Sequence, residues 1–195
     1  MTPTIVVPFR AGGKTRLPGD IRVEIGLAML GDVLEACIAV ARTRLVTDDA
    51  AARIIAADLG VEVVDDPAAG QGAAVLAALS GLSRACLVVN ADLPRLRPSD
   101  LGALALPAER GTMALVEARD GTTNALALPF PDAFAPLYGR RSAAQFRAHA
   151  EQLGLVCHGI GLANLEEDVD TMEDLVRIAP RAGSRTRELF ALLSA

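Results

Sequence analysis

The chain has 195 residues, 51% of them hydrophobic and 22% charged, which suits one globular domain with a buried core and excludes a disordered polymer. A net charge of −5 and only 3% aromatics, with no Trp, exclude a surface built to neutralise many nucleic-acid phosphates or to stack bases, and leave room for a single nucleotide. Cys37, Cys86 and Cys157 lie far apart among apolar neighbours without CxxC spacing, so they read as buried thiols rather than zinc ligands. The start is too short in apolar residues for a signal segment, and no run reaches the roughly 18 residues of a membrane span, so the expectation is a cytoplasmic protein with no membrane or nucleic-acid partner.

In chain order, short β-rich runs alternate with longer Ala/Leu-rich amphipathic ones. The runs at 4–8, 43–47, 61–66 and 85–90 predict strands, and helical patterns at 21–42, 48–59 and 71–82 fall between them. This is the rhythm of a doubly wound α/β fold with a parallel sheet. The runs at 112–118 and 124–129 are joined by "RDGTT", too short for a crossover, so they predict a hairpin and a mixed sheet. Beyond it, Ser142 is the expected N-cap of a helix, with Gln145 completing a capping box and Gly154 closing it. A strand in "LVCHGIG" then leads to a helix capped by Thr171 and Asp174. No repeat, low-complexity tract or linker divides the chain, so residues 1–195 read as one domain.

Three constellations can carry chemistry. The first is "FRAGGKTR" after the opening strand: Gly12 and Gly13 let main-chain N–H groups approach a ligand, while Arg10, Lys14 and Arg16 supply positive charge. It is neither a Walker A nor a GxGxxG loop, and a solvated basic loop is the alternative. The second is "LVVNADLP", where a strand ends on Asp92. Ligands of open α/β sheets bind at such ends, and a carboxylate there can hold magnesium beside phosphates or merely cap a turn. The third is "EEDVDTMEDL". In an extended segment Asp168 and Asp170 share a face opposite Val169, as a second metal-binding arm requires, whereas Glu173 and Asp174 fit a dipole-favourable helix start. Together these are the parts of a nucleotidyl-transfer site, with Asp92 and Asp168 on the metal and Lys14 and Arg16 on the leaving pyrophosphate. A phosphate nucleophile is already anionic, so the near absence of histidine is no objection; His149 and His158 read as structural or surface residues.

Six motifs in order, "VVPFRAGGKTRL", "LAML", "NADLP", "GTTNAL", "YGRRS" and "DVDTMEDL", resemble the phosphoenolpyruvate and 2-phospho-L-lactate guanylyltransferases of coenzyme F-420 (deazaflavin) biosynthesis, over nearly the whole chain. The resemblance implies a Rossmann-like, GT-A-like nucleotidyltransferase fold, a three-layer α/β sandwich with a mixed, mostly parallel sheet. It implies GTP as donor, magnesium as cofactor, and phosphoenolpyruvate, or next 2-phospho-L-lactate, as acceptor. Asp92, Asp168 and Asp170 then look like the metal carboxylates, and Arg10, Gly12, Gly13, Lys14, Arg16 and Gly72 like the nucleotide's contacts. Asn124, Gly139 and Ser142 look like the acceptor's. The chain departs from the family at Gln71-Gly72, where Leu-Asn is frequent, at Phe146 in place of a histidine, at "GTTN" for "GGTN", and at Tyr138 for Phe. A sugar-phosphate or molybdopterin nucleotidyltransferase and a non-catalytic nucleotide-binding module are the rival readings, and an apolar surface excess is compatible with a homodimer.

Overall fold

The computed structural model describes residues 2–11, 16–19 and 21–194. The expectations for Gly12, Gly13 and Lys14 lie outside the described residues. Strands β1 (Thr4–Pro8), β2 (Thr43–Val46), β3 (Glu62–Val64) and β4 (Cys86–Val89) pair in parallel through helices α1 (Arg22–Ile38), α2 (Ala50–Asp58) and α3 (Gln71–Leu79). After α4 (Pro98–Glu109), β5 (Met113–Glu117) and β6 (Thr123–Leu128) form the expected antiparallel hairpin. Helix α5 (Ser142–Gln152) leads to β7 (Cys157–Gly159), parallel to β5, and α6 (Met172–Ile178) and α7 (Ser184–Leu193) follow. The sheet order is β3-β2-β1-β4-β6-β5-β7, and β6 alone runs against the rest.

Period-2 alternation splits the strands between two cores. Ile5, Val7, Leu87 and Val89 face α1, α2 and α4, while Val6, Val88, Leu126 and Leu128 face α3 and α5, which makes the three layers. A third, smaller core joins Ile25 and Met29 of α1 to Val169 and to Leu175 and Ile178 of α6. It binds the C-terminal segment across the carboxyl ends of the strands.

Helix α1 stops at Ile38, short of the expected 42, because the Cys37 carbonyl accepts the N–H groups of both Val40 and Ala41 in a closing turn. Ser142 is not an N-cap. Arg141 holds that position at φ 58, and the buried Ser142 hydroxyl turns inward to Thr123 Oγ1 at 3.1 Å. Gln145 accordingly makes no capping box and donates to the Arg140 carbonyl at 2.9 Å. The second box does form: Asp174 N–H donates to Thr171 Oγ1 at 3.2 Å, and Thr171 N–H donates to Asp174 Oδ2 at 3.0 Å. Cys37 and Cys86 are buried and Cys157 is half-buried, all as free thiols. Burial pushes the Cys86 thiol up to about 11. No helix among the described residues is long and apolar enough to cross a membrane.

Candidate nucleotide and metal site

A cleft of about 350 Å³ opens at the carboxyl ends of β1 and β4. Its apolar wall is Pro8 and Phe9 with Val23, Gly26 and Met29 of α1; its polar wall includes Arg10, Asp66, Gln71, Asn90, Asp92 and Asp170. The size and the mixed lining suit a small polar ligand with one flat apolar part.

The acidic floor is built by two segments far apart in sequence. Val169 is fully buried in the third core, and its N–H donates to the Asp92 carbonyl at 3.2 Å. That bond lays 168–170 against the end of β4, and the alternation around Val169 turns Asp168 and Asp170 outward beside Asp92. One oxygen of each of the three half-buried carboxylates lies within 4.8 Å of the others. Three hard oxygens at that spacing fit a small divalent cation, which would offset their mutual repulsion.

The segment is locked from its other side by Glu167, which is 12% exposed. Its Oε2 takes Arg95 Nη1 at 3.1 Å, and its Oε1 takes Arg177 Nη1 at 3.3 Å and Nη2 of Arg119. Arg95 comes three residues after Asp92 and Glu167 one before Asp168, so this part-buried pair ties the two acidic segments together. Gly183 N–H adds a 2.8 Å bond to the Pro94 carbonyl.

Of the cations expected at the cleft, Arg16 lies 3.9 Å from Asp170 with its side chain 74% exposed, and Arg10 reaches Asp66 Oδ2 at 2.9 Å. Gly72 is not in this cleft. It packs on Pro136 beside Gly139 in a neighbouring hollow, and the residues that α3 offers to the cleft are Gln71 and Ala74. Asn124 and Ser142 are each 1% exposed, so neither presents side-chain surface to a ligand. Asn124 donates to the Leu165 carbonyl at 2.8 Å and so holds the start of the acidic segment, while Gly139 is exposed.

Sequence reasoning missed Asp66 and Asn90. Asn90 Oδ1 accepts from Gln71 Nε2 at 2.8 Å and its Nδ2 donates to the Thr123 carbonyl at 3.2 Å, joining α3 to the hairpin across the cleft. Both follow the last residues of strands β3 and β4, where the rule that found Asp92 also applied.

Comparison with known proteins agrees with this fold. Residues 20–158 match the family model described as the MobA-like NTP transferase domain. Two solved structures share the fold: one from Desulfovibrio desulfuricans G20 assigned as a nucleotide-diphospho-sugar transferase (TM-score 0.72, 16% identity, 100% of this chain and 98% of the other), and molybdopterin-guanine dinucleotide biosynthesis protein A from Archaeoglobus fulgidus (TM-score 0.58, 17% identity, 89% and 95%). The fold is therefore that of a Rossmann-like nucleotidyltransferase.

Relatives narrow it. Phosphoenolpyruvate guanylyltransferases of Roseiflexus castenholzii and Thermomonospora curvata are 35% and 36% identical, over 87% and 100% of this chain and 81% and 91% of theirs. The 3-phospho-D-glycerate guanylyltransferase of Phenylobacterium zucineum is 32% identical over 92% of this chain and 90% of its own. The chain belongs to the MobA-like NTP transferase family, on the branch that holds the phosphoenolpyruvate guanylyltransferases.

Proposed function

We propose that the protein is a magnesium-dependent guanylyltransferase that moves GMP from GTP to phosphoenolpyruvate, giving enolpyruvyl-diphospho-guanosine and pyrophosphate, in the cytoplasmic synthesis of coenzyme F-420. The observation that carries the reading is the convergence of Asp92, Asp168 and Asp170 at the mouth of a nucleotide-sized cleft. In the reaction, an oxygen of the acceptor's phosphate forms a bond to the α-phosphorus of GTP. The bond from that phosphorus to the β-phosphate oxygen breaks, and pyrophosphate leaves with the electron pair. No proton moves, so the protein's task is to position two anions and offset their charge.

Asp92, Asp168 and Asp170 would hold magnesium, which when bound supplies positive charge to phosphate oxygens. Arg16, at the edge of the trio, would face the leaving pyrophosphate, and Arg10 and Lys14 are its near neighbours in sequence. The apolar wall of Phe9, Val23 and Met29 offers a flat surface to the nucleoside. The Phenylobacterium zucineum relative supports 3-phospho-D-glycerate as a second acceptor to test.

The test is pyrophosphate release from GTP, ATP and CTP with magnesium and phosphoenolpyruvate, 2-phospho-L-lactate or 3-phospho-D-glycerate. Release with GTP that requires one of these acids is expected; release without an acid, or none, removes the proposal. Asp92→Asn should abolish turnover, about 10²-fold or more as for loss of a group acting on the transition state, with the melting profile unchanged. Full turnover in that variant would take Asp92 out of the reaction.

A further inference from the structure

Behind the acidic trio, polar side chains form one connected line. Arg95 donates through Nη1 to Glu167 Oε2 at 3.1 Å and through Nη2 to Asn164 Oδ1 at 3.1 Å. Asn164 in turn donates to Asp100 Oδ2 at 3.0 Å, and that oxygen also accepts the Arg97 N–H at 3.0 Å at the start of α4. On the other side, Glu167 Oε1 takes Arg177 Nη1 at 3.3 Å, and Arg177 Nη2 reaches Asp174 Oδ1 at 2.6 Å. Asp174 Oδ2 then accepts the Asp170 N–H at 3.3 Å.

The line thus touches the chain at each member of the trio: three residues after Asp92, one before Asp168, and at the N–H of Asp170 itself. Arg95, Glu167 and Arg177 do not line the cleft, so any hold they have on the trio passes through the backbone or through their charge.

Three carboxylates with oxygens within 4.8 Å of one another repel, and they would spread apart unless the backbone that carries them is fixed. Arg95 and Glu167, with side chains 14% and 12% exposed, form a shielded pair that water and salt screen weakly. A trio gathered on folding meets a cation with its oxygens already in place, and a supporting shell of this kind is what keeps such a site from being too loose.

We propose that Arg95 and Glu167 are positioning residues of the cation site: the pair sets the spacing of Asp92 against Asp168 and Asp170, and with it the affinity for the divalent ion. The inference rests on the cation site of the guanylyltransferase reading and adds to it two residues that stand outside the cleft. Charge and position predict opposite signs at Arg95. Removing a nearby positive charge would by itself tighten cation binding, whereas releasing the Asp92 segment from Glu167 weakens it. Without Arg95, Glu167 keeps Arg177 and Arg119 as partners, so no buried charge is stranded.

Manganese titration of the whole chain, without nucleotide or acid and read by the electron paramagnetic resonance of the free ion, tests it on wild type, Arg95→Met, Glu167→Gln and Asp168→Asn. Asp168→Asn should lose the binding, which marks the trio as the site titrated. Arg95→Met and Glu167→Gln should each weaken it about tenfold to a hundredfold, the range for losing an outer partner of a metal ligand, at a temperature where their melting profiles show them folded. Should Glu167→Gln not fold, Arg95→Met decides alone. Binding in Arg95→Met that equals or exceeds wild type overturns the proposal, as does wild-type affinity in Asp168→Asn or no binding by wild type. A wild type that shows these differences and yet releases no pyrophosphate with any acid refutes guanylyl transfer and leaves the positioning role standing.

Discussion

A methyl group at Gly72 would lie 2.4 Å from Pro136 Cβ and 2.9 Å from its Cα, distances that no side-chain rotation relieves because a proline cannot turn away. The glycine in the first turn of α3 is thus required by close packing on the 131–138 segment. The two roles considered for it separate by experiment. Gly72→Ala should lower unfolding stability by about 1–3 kcal/mol in a denaturant titration, the usual range for overpacking. The KM for GTP should stay unchanged; a raised KM at full stability would return Gly72 to the nucleotide. Arg141 makes a similar point about single residues. It takes a left-handed conformation at φ 58 that costs a non-glycine residue about 1–2 kcal/mol, and in doing so frees Ser142 to turn its hydroxyl onto the hairpin. A serine before a helical pattern is a sound capping signal, and here tertiary contact overrides it.

At the scale of elements, α6 shows a cap whose strength depends on pH. Burial works to raise the Asp174 carboxyl, but the Thr171 hydroxyl, the Asp170 N–H and the Arg177 guanidinium outweigh it and hold the group below its ordinary value. A carboxyl lowered on folding stabilises the native state above its unfolded value, about 3.8, and that contribution is lost as pH falls through the folded value. The difference in urea midpoint between wild type and Asp174→Asn should be widest near neutral pH and shrink below about pH 3.8; a constant difference would show that the charge does not contribute. This capping box was legible because both partners lie within four residues of chain. The strands were legible for the same reason, since alternation and β-branched content are local. Helix α7 was not: Gly183 at its N-cap makes no side-chain cap, and the carboxylate that caps it, Asp32, lies in α1. The site divides in the same way. Asp92 and Asp168 announced themselves at strand and segment ends, but the Glu167 cluster joins Arg95 and Arg119 from two separate turns and Arg177 from α6, and no spacing in the sequence encodes it.

For the whole molecule, α7 is clasped to α1 by the longest-range hydrogen bonds among the described residues. Asp32, 6% exposed, accepts the N–H of Arg185 at 3.0 Å and that of Thr186 at 3.0 Å, and Glu35 pairs with Arg185 at 2.8 Å. Next to it, Gly183 bonds the Pro94 carbonyl, two residues past Asp92. Asp32→Ala would strand two N–H groups at the start of α7 and should lower stability by about 1–3 kcal/mol by urea unfolding, with Asp32→Asn, able to accept one of them well, falling between. Equal stability of Asp32→Ala and wild type would show that α7 is held by its apolar face alone.

The clasp also sets an order of assembly. Its hydrogen bonds join residues 153 and 154 positions apart, whereas the parallel units β1-α1-β2 and β2-α2-β3 close over a few tens of residues. Long closures lose more chain entropy before they gain contacts, so local units form early and the clasp forms late. Asp168 and Asp170 meet Asp92 through a long closure of their own, the bond from the Val169 N–H to the Asp92 carbonyl, and so they too come together after the local units. A chain with its local units formed and the 165–170 segment undocked would therefore be folded in most respects and still lack its acidic trio.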